Sequence, residues 1–169
     1  LVTSIDEVNS LVQQLELHFL RNNDDQLLFA LLGDYADATE QHMPLDAILR
    51  DHALNCIREL NDKYKHYGRK PFYLLMRERR WNASENIWMG WERKRGKLHE
   101  FNRLLLHPDT VTSYDLREGE LALLPEVRYV ITLDMDTILP KDGAKRLVAT
   151  LAHPLNHPVF DPRTNRVVK

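Results

Sequence analysis

Residues 127–137 read Val127-Arg128-Tyr129-Val130-Ile131-Thr132-Leu133-Asp134-Met135-Asp136-Thr137, an apolar, β-branched run followed by two carboxylates one residue apart. Such a run predicts a buried strand. In an open α/β sheet, ligands lie beyond the carboxyl ends of the strands. Paired carboxylates there suit a divalent cation that keeps some water and shares phosphate oxygens with a nucleotide. Asp134 and Asp136 are therefore candidate metal ligands; the alternative is that they only end the strand and cap the next helix.

Strand and helix patterns alternate along the chain. Short apolar runs predict two further strands, at 27–32 and 71–76, which are typical of strands covered on both faces. Apolar residues spaced three and four apart predict helices; these cover 5–19, 44–64, 92–106 and a last segment from Pro140 to His153-Pro154. The connections are long enough for right-handed parallel crossovers. The sequence therefore predicts an α/β fold with a mainly parallel sheet flanked by helices.

Polar residues follow each predicted strand. Asp34 and Asp37 follow the first strand, Arg77 follows the second, and the acidic pair follows the third. Taken singly, an aspartate in such a place is more often a turn residue than a ligand group. Parallel strands end at one edge of a sheet, so we expect these charged groups to converge there. Carboxylates and a guanidinium gathered at one edge indicate a pocket for a nucleotide diphosphate.

A basic segment supplies the cations that such a pocket needs. Residues 88–98 read Trp88-Met89-Gly90-Trp91-Glu92-Arg93-Lys94-Arg95-Gly96-Lys97-Leu98. The glycines allow close approach of the backbone, the cations can pair with phosphate oxygens, and a helix start adds its positive dipole end. The alternatives are a solvated basic helix turn or a patch for RNA. Two indoles beside the charges favour a partly buried loop that binds phosphate.

Composition limits the choice of function. The chain has 169 residues, of which 43% are hydrophobic and 28% are charged, and its net charge is −2. These values predict one globular domain with a real core and argue against a general nucleic-acid surface. No apolar stretch approaches the ~18 residues of a membrane span, so we expect this segment to be soluble by itself.

These motifs together resemble a known family. The tryptophan-flanked basic segment, the run Val130-Ile131-Thr132-Leu133-Asp134-Met135-Asp136-Thr137 and the later His153-Pro154-Leu155-Asn156 are similar to the glycosyltransferase region of cyclic β-1,2-glucan synthases. The resemblance spans nearly the whole chain. It implies a GT-A type, Rossmann-like nucleotide-sugar domain that uses UDP-glucose to extend a glucan acceptor. It also implies a large parent protein at the cytoplasmic face of the bacterial inner membrane.

The resemblance also implies roles for particular residues. Asp134 and Asp136 correspond to a DxD motif that holds Mg²⁺ or Mn²⁺ against the sugar nucleotide, and Asp34 to a position that contacts uridine. The loop that approaches the diphosphate corresponds to Lys94, Gly96 and Lys97, with Arg93 and Arg95 as neighbours. Together with the sheet-edge residues, the expected nucleotide-sugar site comprises Asp34, Asp37, Arg77, Arg93, Lys94, Gly96 and Lys97. The family is inverting, and its general base is expected beyond residue 169.

The resemblance further predicts that residues 1–169 are a single truncated glycosyltransferase domain, a fragment of a much larger multidomain protein. We expect the isolated fragment to lack transferase activity and to bind UDP weakly if at all. Transferases of this fold normally begin with a strand that lies centrally in the sheet, and the resemblance predicts that this chain starts just after it. The absence of that strand would leave polar backbone edges unpaired, so self-association of the fragment is also expected.

Two other functions fit parts of the sequence. The strand end Asp134-x-Asp136-x-Ile138 also resembles the first motif of haloacid dehalogenase-like phosphohydrolases, in which Asp134 would be the nucleophile and Asp136 an acid/base. That fold requires a lysine and a further acidic pair downstream, and the acids that follow, Asp142 and Asp161, are widely separated. The other alternative is a non-catalytic binding segment, in which the basic loop only docks a partner.

Overall fold

The computed structural model of the chain describes residues 1–156 and 158–168. Within those ranges the α-helices are α1 (Ile5–Arg21), α2 (Pro44–Lys63), α3 (Arg93–Leu106) and α4 (Gly143–Ala152). Short 3-10 helices cover Lys65–Tyr67, Leu121–Glu126 and Pro154–Asn156. None of the helices in the described ranges has the length and apolar character needed to span a bilayer.

The strands form one central sheet and two small hairpins. They are β1 (Phe29–Asp34), β2 (Phe72–Arg77), β3 (Arg80–Asn82), β4 (Ile87–Met89), β5 (Tyr114–Glu118), β6 (Phe160–Asp161) and β7 (Arg166–Val167). The central sheet has the order β1-β2-β5, in which β1 and β2 are parallel and β2 and β5 are antiparallel. The hairpins pair β3 with β4 and β6 with β7.

Strand β2 organises the core, because all six of its residues are buried. Side chains alternate between the two faces of a strand. Phe72, Leu74 and Met76 therefore pack on α1 and α2, whereas Tyr73 and Leu75 pack on α3 and the 3-10 helix at Leu121–Glu126. The result is a sheet covered by helices on both faces.

The predicted helices and the first two strands are confirmed. Helix α1 begins directly after Ser4, whose side chain accepts a hydrogen bond from the Glu7 amide. Helix α2 begins at Pro44, whose missing N–H is tolerated in a first turn. The α/β class follows from the sequence because amphipathic periodicity and buried apolar runs are both strong in these segments.

Two predictions about the sheet are wrong. The sheet is mixed rather than mainly parallel, because β5 pairs antiparallel with β2. Residues 127–134 form no strand, so Asp134 and Asp136 do not end one, and the phosphohydrolase alternative loses the strand end on which it rested. An apolar pattern reports that a segment can be buried in a sheet, but a strand also needs a pairing partner, and residues 127–134 pair with neither of the outer strands β1 and β5.

One side chain joins α2 to the start of β2 and yields a stability prediction. Asn61 donates to the Phe72 carbonyl at 2.9 Å and accepts from the Phe72 amide at 3.1 Å, in a buried position. Asn61→Leu leaves both backbone groups unpaired, so we expect a loss of about 2–3 kcal/mol in the free energy of unfolding. Urea denaturation measures this loss. The exposed Asn55→Leu on the same helix is the control, and equal effects of the two substitutions would contradict the prediction.

Candidate functional site

The ends of the two parallel strands bring the first charged residues together. In the register of β1 and β2, Asp34 lies opposite Arg77. The Arg77 Nε donates to Asp34 Oδ1 at 2.6 Å, and both side chains are buried. The predicted convergence of polar residues at this edge of the sheet is therefore confirmed for these two strand ends.

A second carboxylate and a lysine complete what we call the buried ion cluster, made of Asp34, Arg77, Lys97 and Glu100. Arg77 Nη1 donates to Glu100 Oε2 at 3.1 Å, and Lys97 Nζ lies 3.2 Å from Asp34 Oδ2. Both the amide and the hydroxyl of Ser113 donate to Glu100. The cluster contains two cations and two anions, so its charges balance. Asp34, Arg77 and Glu100 are buried and Lys97 is partly buried, which is tolerated because each charge is paired.

The cluster shifts the pKa values of Glu100 and Arg77. Burial alone would raise the pKa of Glu100, but the hydrogen bonds from Ser113 and the adjacent Arg77 guanidinium hold it below its ordinary value of 4.5. Burial alone would lower the pKa of Arg77, and Asp34 and Glu100 raise it instead. Both residues are therefore charged across the physiological range.

Glu100 predicts a pH dependence of stability. Its pKa is lower in the folded chain than in the unfolded chain, so its ionised form stabilises the fold above about pH 4.5 and this contribution is lost as the pH falls through the folded-state pKa. We expect the difference in melting temperature between the wild type and Glu100→Gln to be largest near pH 7 and to narrow below pH 4.5. The exposed Glu59→Gln is the control, and a pH-independent gap for Glu100→Gln would refute the prediction.

The buried ion cluster contacts a segment that we call the basic turn, residues 90–97. Arg77 Nη1 donates to the Trp91 carbonyl at 3.0 Å, and Arg77 Nη2 donates to the Arg93 carbonyl at 3.0 Å. Glu92 and Arg93 have φ values of 52° and 48°, which are rare for residues other than glycine. Helix α3 begins directly at this turn. The backbone of the basic turn thus rests on the buried guanidinium.

Two outward-facing cations of the basic turn, Arg93 and Lys94, pair with carboxylates from three other segments. Lys94 Nζ forms an ion pair with Asp134 Oδ1, and both side chains are exposed. Arg93 contacts Asp37 at 2.8 Å and Glu85 at 3.0 Å. The hydrogen bond with Asp37, followed by that with Glu85, raises the pKa of Arg93. The basic turn therefore faces the acidic segment, as the sequence motifs predict.

The acidic pair sits on a turn. The Asp134 carbonyl accepts from the Thr137 amide at 3.0 Å, and both Asp134 and Asp136 are exposed. Within residues 1–156 and 158–168, no group of three or more histidine, cysteine, aspartate or glutamate side chains could enclose a metal ion. Two exposed carboxylates nevertheless have the oxygen donors that Mg²⁺ and Mn²⁺ prefer, and they leave other positions for water and phosphate. These two carboxylates suit a metal ion that is also bound by phosphate and water, and they do not enclose the ion by themselves.

The structure thus connects most of the predicted site residues. Asp34, Arg77 and Gly96 are buried, Lys97 and Asp37 are partly buried, and Arg93, Lys94 and Asp134 are exposed. No ion pair of Asp136 is present in the part of the chain that the structure describes. Arg77 has no exposed surface, so all of its contacts are with the protein.

Sequence reasoning missed Glu100, Ser113 and Glu85. Glu100 had a signal, because it lies beside Phe101 and one helical turn before Leu104, on the apolar face of α3 where a solvated acid is not expected. Ser113 and Glu85 lie in connecting segments without a pattern, so their roles depend on tertiary contacts alone.

Comparison with known proteins is consistent with the resemblance in the motifs. No protein-family model matches the chain. The chain is 45% identical over 168 residues to the cyclic β-(1,2)-glucan synthase NdvB of Rhizobium meliloti (strain 1021). The alignment covers 99% of this chain and 6% of that protein, so the chain spans a small part of the length of the curated relative that it matches. The resemblance to cyclic β-1,2-glucan synthases is therefore confirmed along this chain, as similarity to one segment of such a protein.

Proposed function

We propose that this chain forms part of the donor-binding region of a GT-A type glycosyltransferase, which uses UDP-glucose to build a β-1,2-linked glucan in an inverting reaction. The observation that carries the proposal is the ion pair between Lys94 and Asp134, because it sets the basic turn against the acidic segment. The similarity to a cyclic β-(1,2)-glucan synthase supports the substrate class.

In this proposal the basic turn binds the diphosphate of the donor. Lys94 is exposed and held by one carboxylate, so its ammonium can exchange Asp134 for a phosphate oxygen at small cost. The first amides of α3 add donors and a positive dipole end. These groups stabilise the negative charge that develops on the departing UDP. No residue of this chain is proposed as the general base, which the resemblance places elsewhere in the parent protein.

Asp134 and Asp136 are the residues that would hold Mg²⁺ or Mn²⁺. A bound ion would neutralise part of the diphosphate charge and so favour departure of the nucleotide. Asp37 pairs with Arg93 and Asp34 pairs with Lys97, so two further cations of the basic turn are held in place by carboxylates. The acceptor glucan and the remainder of the parent, at the cytoplasmic face of the inner membrane, complete the proposed enzyme.

The isolated chain is expected to bind UDP only weakly, so an NMR titration, which detects weak binding, tests the donor site in this chain. We expect Mn²⁺ added with UDP to broaden the amide signals near Asp134 and Asp136 and in the basic turn, whereas Mg²⁺ with UDP shifts the same signals without broadening them. Asp134→Asn/Asp136→Asn should weaken this response at least about tenfold, since loss of ~1.4 kcal/mol of binding free energy already gives that factor.

The matched control for charge is Asp109→Asn, because Asp109 is an exposed carboxylate in the segment after α3. Its response should equal that of the wild type. Broadening that is spread over many surface carboxylates, or that survives in the double variant, would contradict the proposal. Hydrolysis of an aryl phosphate that depends on Asp134 would instead favour the phosphohydrolase alternative.

A further inference from the structure

We propose that Arg77 is a positioning residue that holds the basic turn in a strained backbone conformation from below, without touching the ligand. This inference rests on the proposed donor site, because it assigns the residue that keeps Lys94 and the start of α3 in place. Sequence reasoning put Arg77 among the ligand-binding residues, but its guanidinium has no exposed surface.

The first observation is the strain itself. Glu92 and Arg93 are consecutive, neither is glycine, and both have positive φ values, 52° and 48°. Side chains with a Cβ disfavour this region, so such a pair persists only where surrounding contacts enforce it. The local hydrogen bonds from the Arg93 amide to the Gly90 carbonyl and from the Gly96 amide to the Glu92 carbonyl stay within the turn. An external contact is needed to select this conformation.

Arg77 supplies that external contact. Its Nη1 and Nη2 atoms donate to the carbonyls of Trp91 and Arg93, one residue on each side of Glu92. Its Nε and Nη1 atoms are held in turn by Asp34 and Glu100. A planar fork of donors can reach both carbonyls and both carboxylates at fixed angles, whereas the single ammonium of a lysine cannot. The geometry therefore makes arginine specific at this position.

The packing around the guanidinium supports the same assignment. A Cβ on Gly90 would lie 3.0 Å from Arg77 Nη2 and 3.0 Å from Asp34 Cγ. Contacts this close require a neighbour to move. The first residue of the basic turn thus lies directly on the Arg77–Asp34 pair.

A second buried arginine provides a matched comparison. Arg79 donates to the carbonyls of Ala36 and Gln41 and pairs with both oxygens of Asp46. It therefore holds the segment between β1 and α2 and makes no hydrogen bond to the basic turn among the described residues. Arg77→Lys and Arg79→Lys change the same chemistry at two similarly buried sites, only one of which contacts the basic turn.

Hydrogen exchange of the Arg93 and Gly96 amides is the primary test, and it needs no ligand. We expect Arg77→Lys to speed both exchange rates at least about tenfold relative to the amides of β2, while Arg79→Lys leaves them unchanged. Unchanged exchange in Arg77→Lys would overturn the proposal. Complete unfolding of Arg77→Lys with Arg79→Lys folded would also overturn it, because Arg77 would then support the whole core.

A second variant tests the strain separately. Asparagine tolerates positive φ values better than glutamate does, so Glu92→Asn should slow exchange of the Arg93 amide and should restore part of the protection lost in Arg77→Lys. Equal loss of protection in Arg77→Lys with and without Glu92→Asn would overturn the role of strain.

Titration with UDP and Mn²⁺ separates this inference from the proposed function. Weaker binding in Arg77→Lys, with normal binding in Arg79→Lys, supports both. If the wild type does not bind UDP but Arg77→Lys still frees the turn, the donor site fails and the positioning role stands. If UDP binds the wild type and Arg77→Lys equally, the positioning role fails and the donor site stands.

Discussion

Replacing Gly96 with alanine should lower the free energy of unfolding by about 3 kcal/mol, although alanine normally stabilises a helix relative to glycine by about 0.8–1.0 kcal/mol. An alanine Cβ would clash with the Trp91 carbonyl oxygen and would lie 2.8 Å from Glu92 Cβ. The closest obstacle is backbone and is held by Arg77, so it cannot move without breaking the turn. Alanine is therefore expected to destabilise the chain at this position, opposite to its usual effect in a helix, and this reversal tests the close contact at Gly96.

Urea denaturation measures the Gly96→Ala effect, and Gly68→Ala is the control. Gly68 has a φ of 73°, and no neighbouring group lies within 4 Å of the place that an alanine methyl would take. Alanine there meets backbone strain and no steric obstacle, so the free energy of unfolding should fall by only about 1 kcal/mol. A stabilising effect of Gly96→Ala, or a loss no larger than that of Gly68→Ala, would show that the contact between α3 and the basic turn is looser than described.

Replacing Asp34 with alanine should cost about 3–5 kcal/mol, because removing one partner leaves Arg77 buried with too few anions. Asp34 accepts from Arg77 at 2.6 Å and from Lys97 at 3.2 Å, so its loss affects two cations at once. Chemical denaturation measures the loss. The comparison is Asp37→Ala, which breaks only the more exposed pair with Arg93 and should cost no more than about 1 kcal/mol.

The double variant Asp34→Ala/Lys97→Met extends this prediction. It removes one anion and one cation, so the remaining pair of Arg77 and Glu100 is again balanced. The effects of the two single substitutions should therefore not add, and the double variant should be more stable than their sum predicts. Strict additivity would mean that Lys97 and Asp34 do not interact in the folded chain.

Helices and the first two strands are predictable from this sequence because their information is local. The apolar stripe of α2 and the buried run of β2 each specify an element without reference to the rest of the chain. Residues 127–133 show the limit of that reasoning. Their composition favours a strand, but strand pairing depends on tertiary contacts with a neighbouring strand, and sequence patterns do not report these.

The strands that sequence reasoning missed are short and carry charges. In β5, Tyr114 and Leu116 are buried while Asp115 and Arg117 alternate with them, a pattern typical of an edge strand. The hairpin of β3 and β4 has only three residues in each strand, and Trp81 lies opposite Trp88 across it. Such short alternations fall below what periodicity can detect.

The site residues at strand ends were predictable from the sequence, and the site residues that depend on tertiary contacts were not. Asp34 and Arg77 follow from the rule that parallel strands end at one edge, and Lys94 follows from the basic motif. Neither the strand-end rule nor the basic motif predicts which of these residues are buried and which are exposed. That Arg77 is enclosed while Lys94 is exposed depends on Glu100 and Ser113, which reach the cluster from α3 and from the segment before β5.

The balanced charges of the buried ion cluster separate two responses to ionic strength. At 0.15 M salt the screening length is about 8 Å, and mobile ions weaken contacts between solvated groups far more than contacts they cannot enter. Added salt should loosen the outward pairs of Lys94 and Arg93 while the guanidinium beneath them keeps its partners. The exposed cations can thus change partners when a polyanion binds, while the buried ion pairs beneath them stay intact.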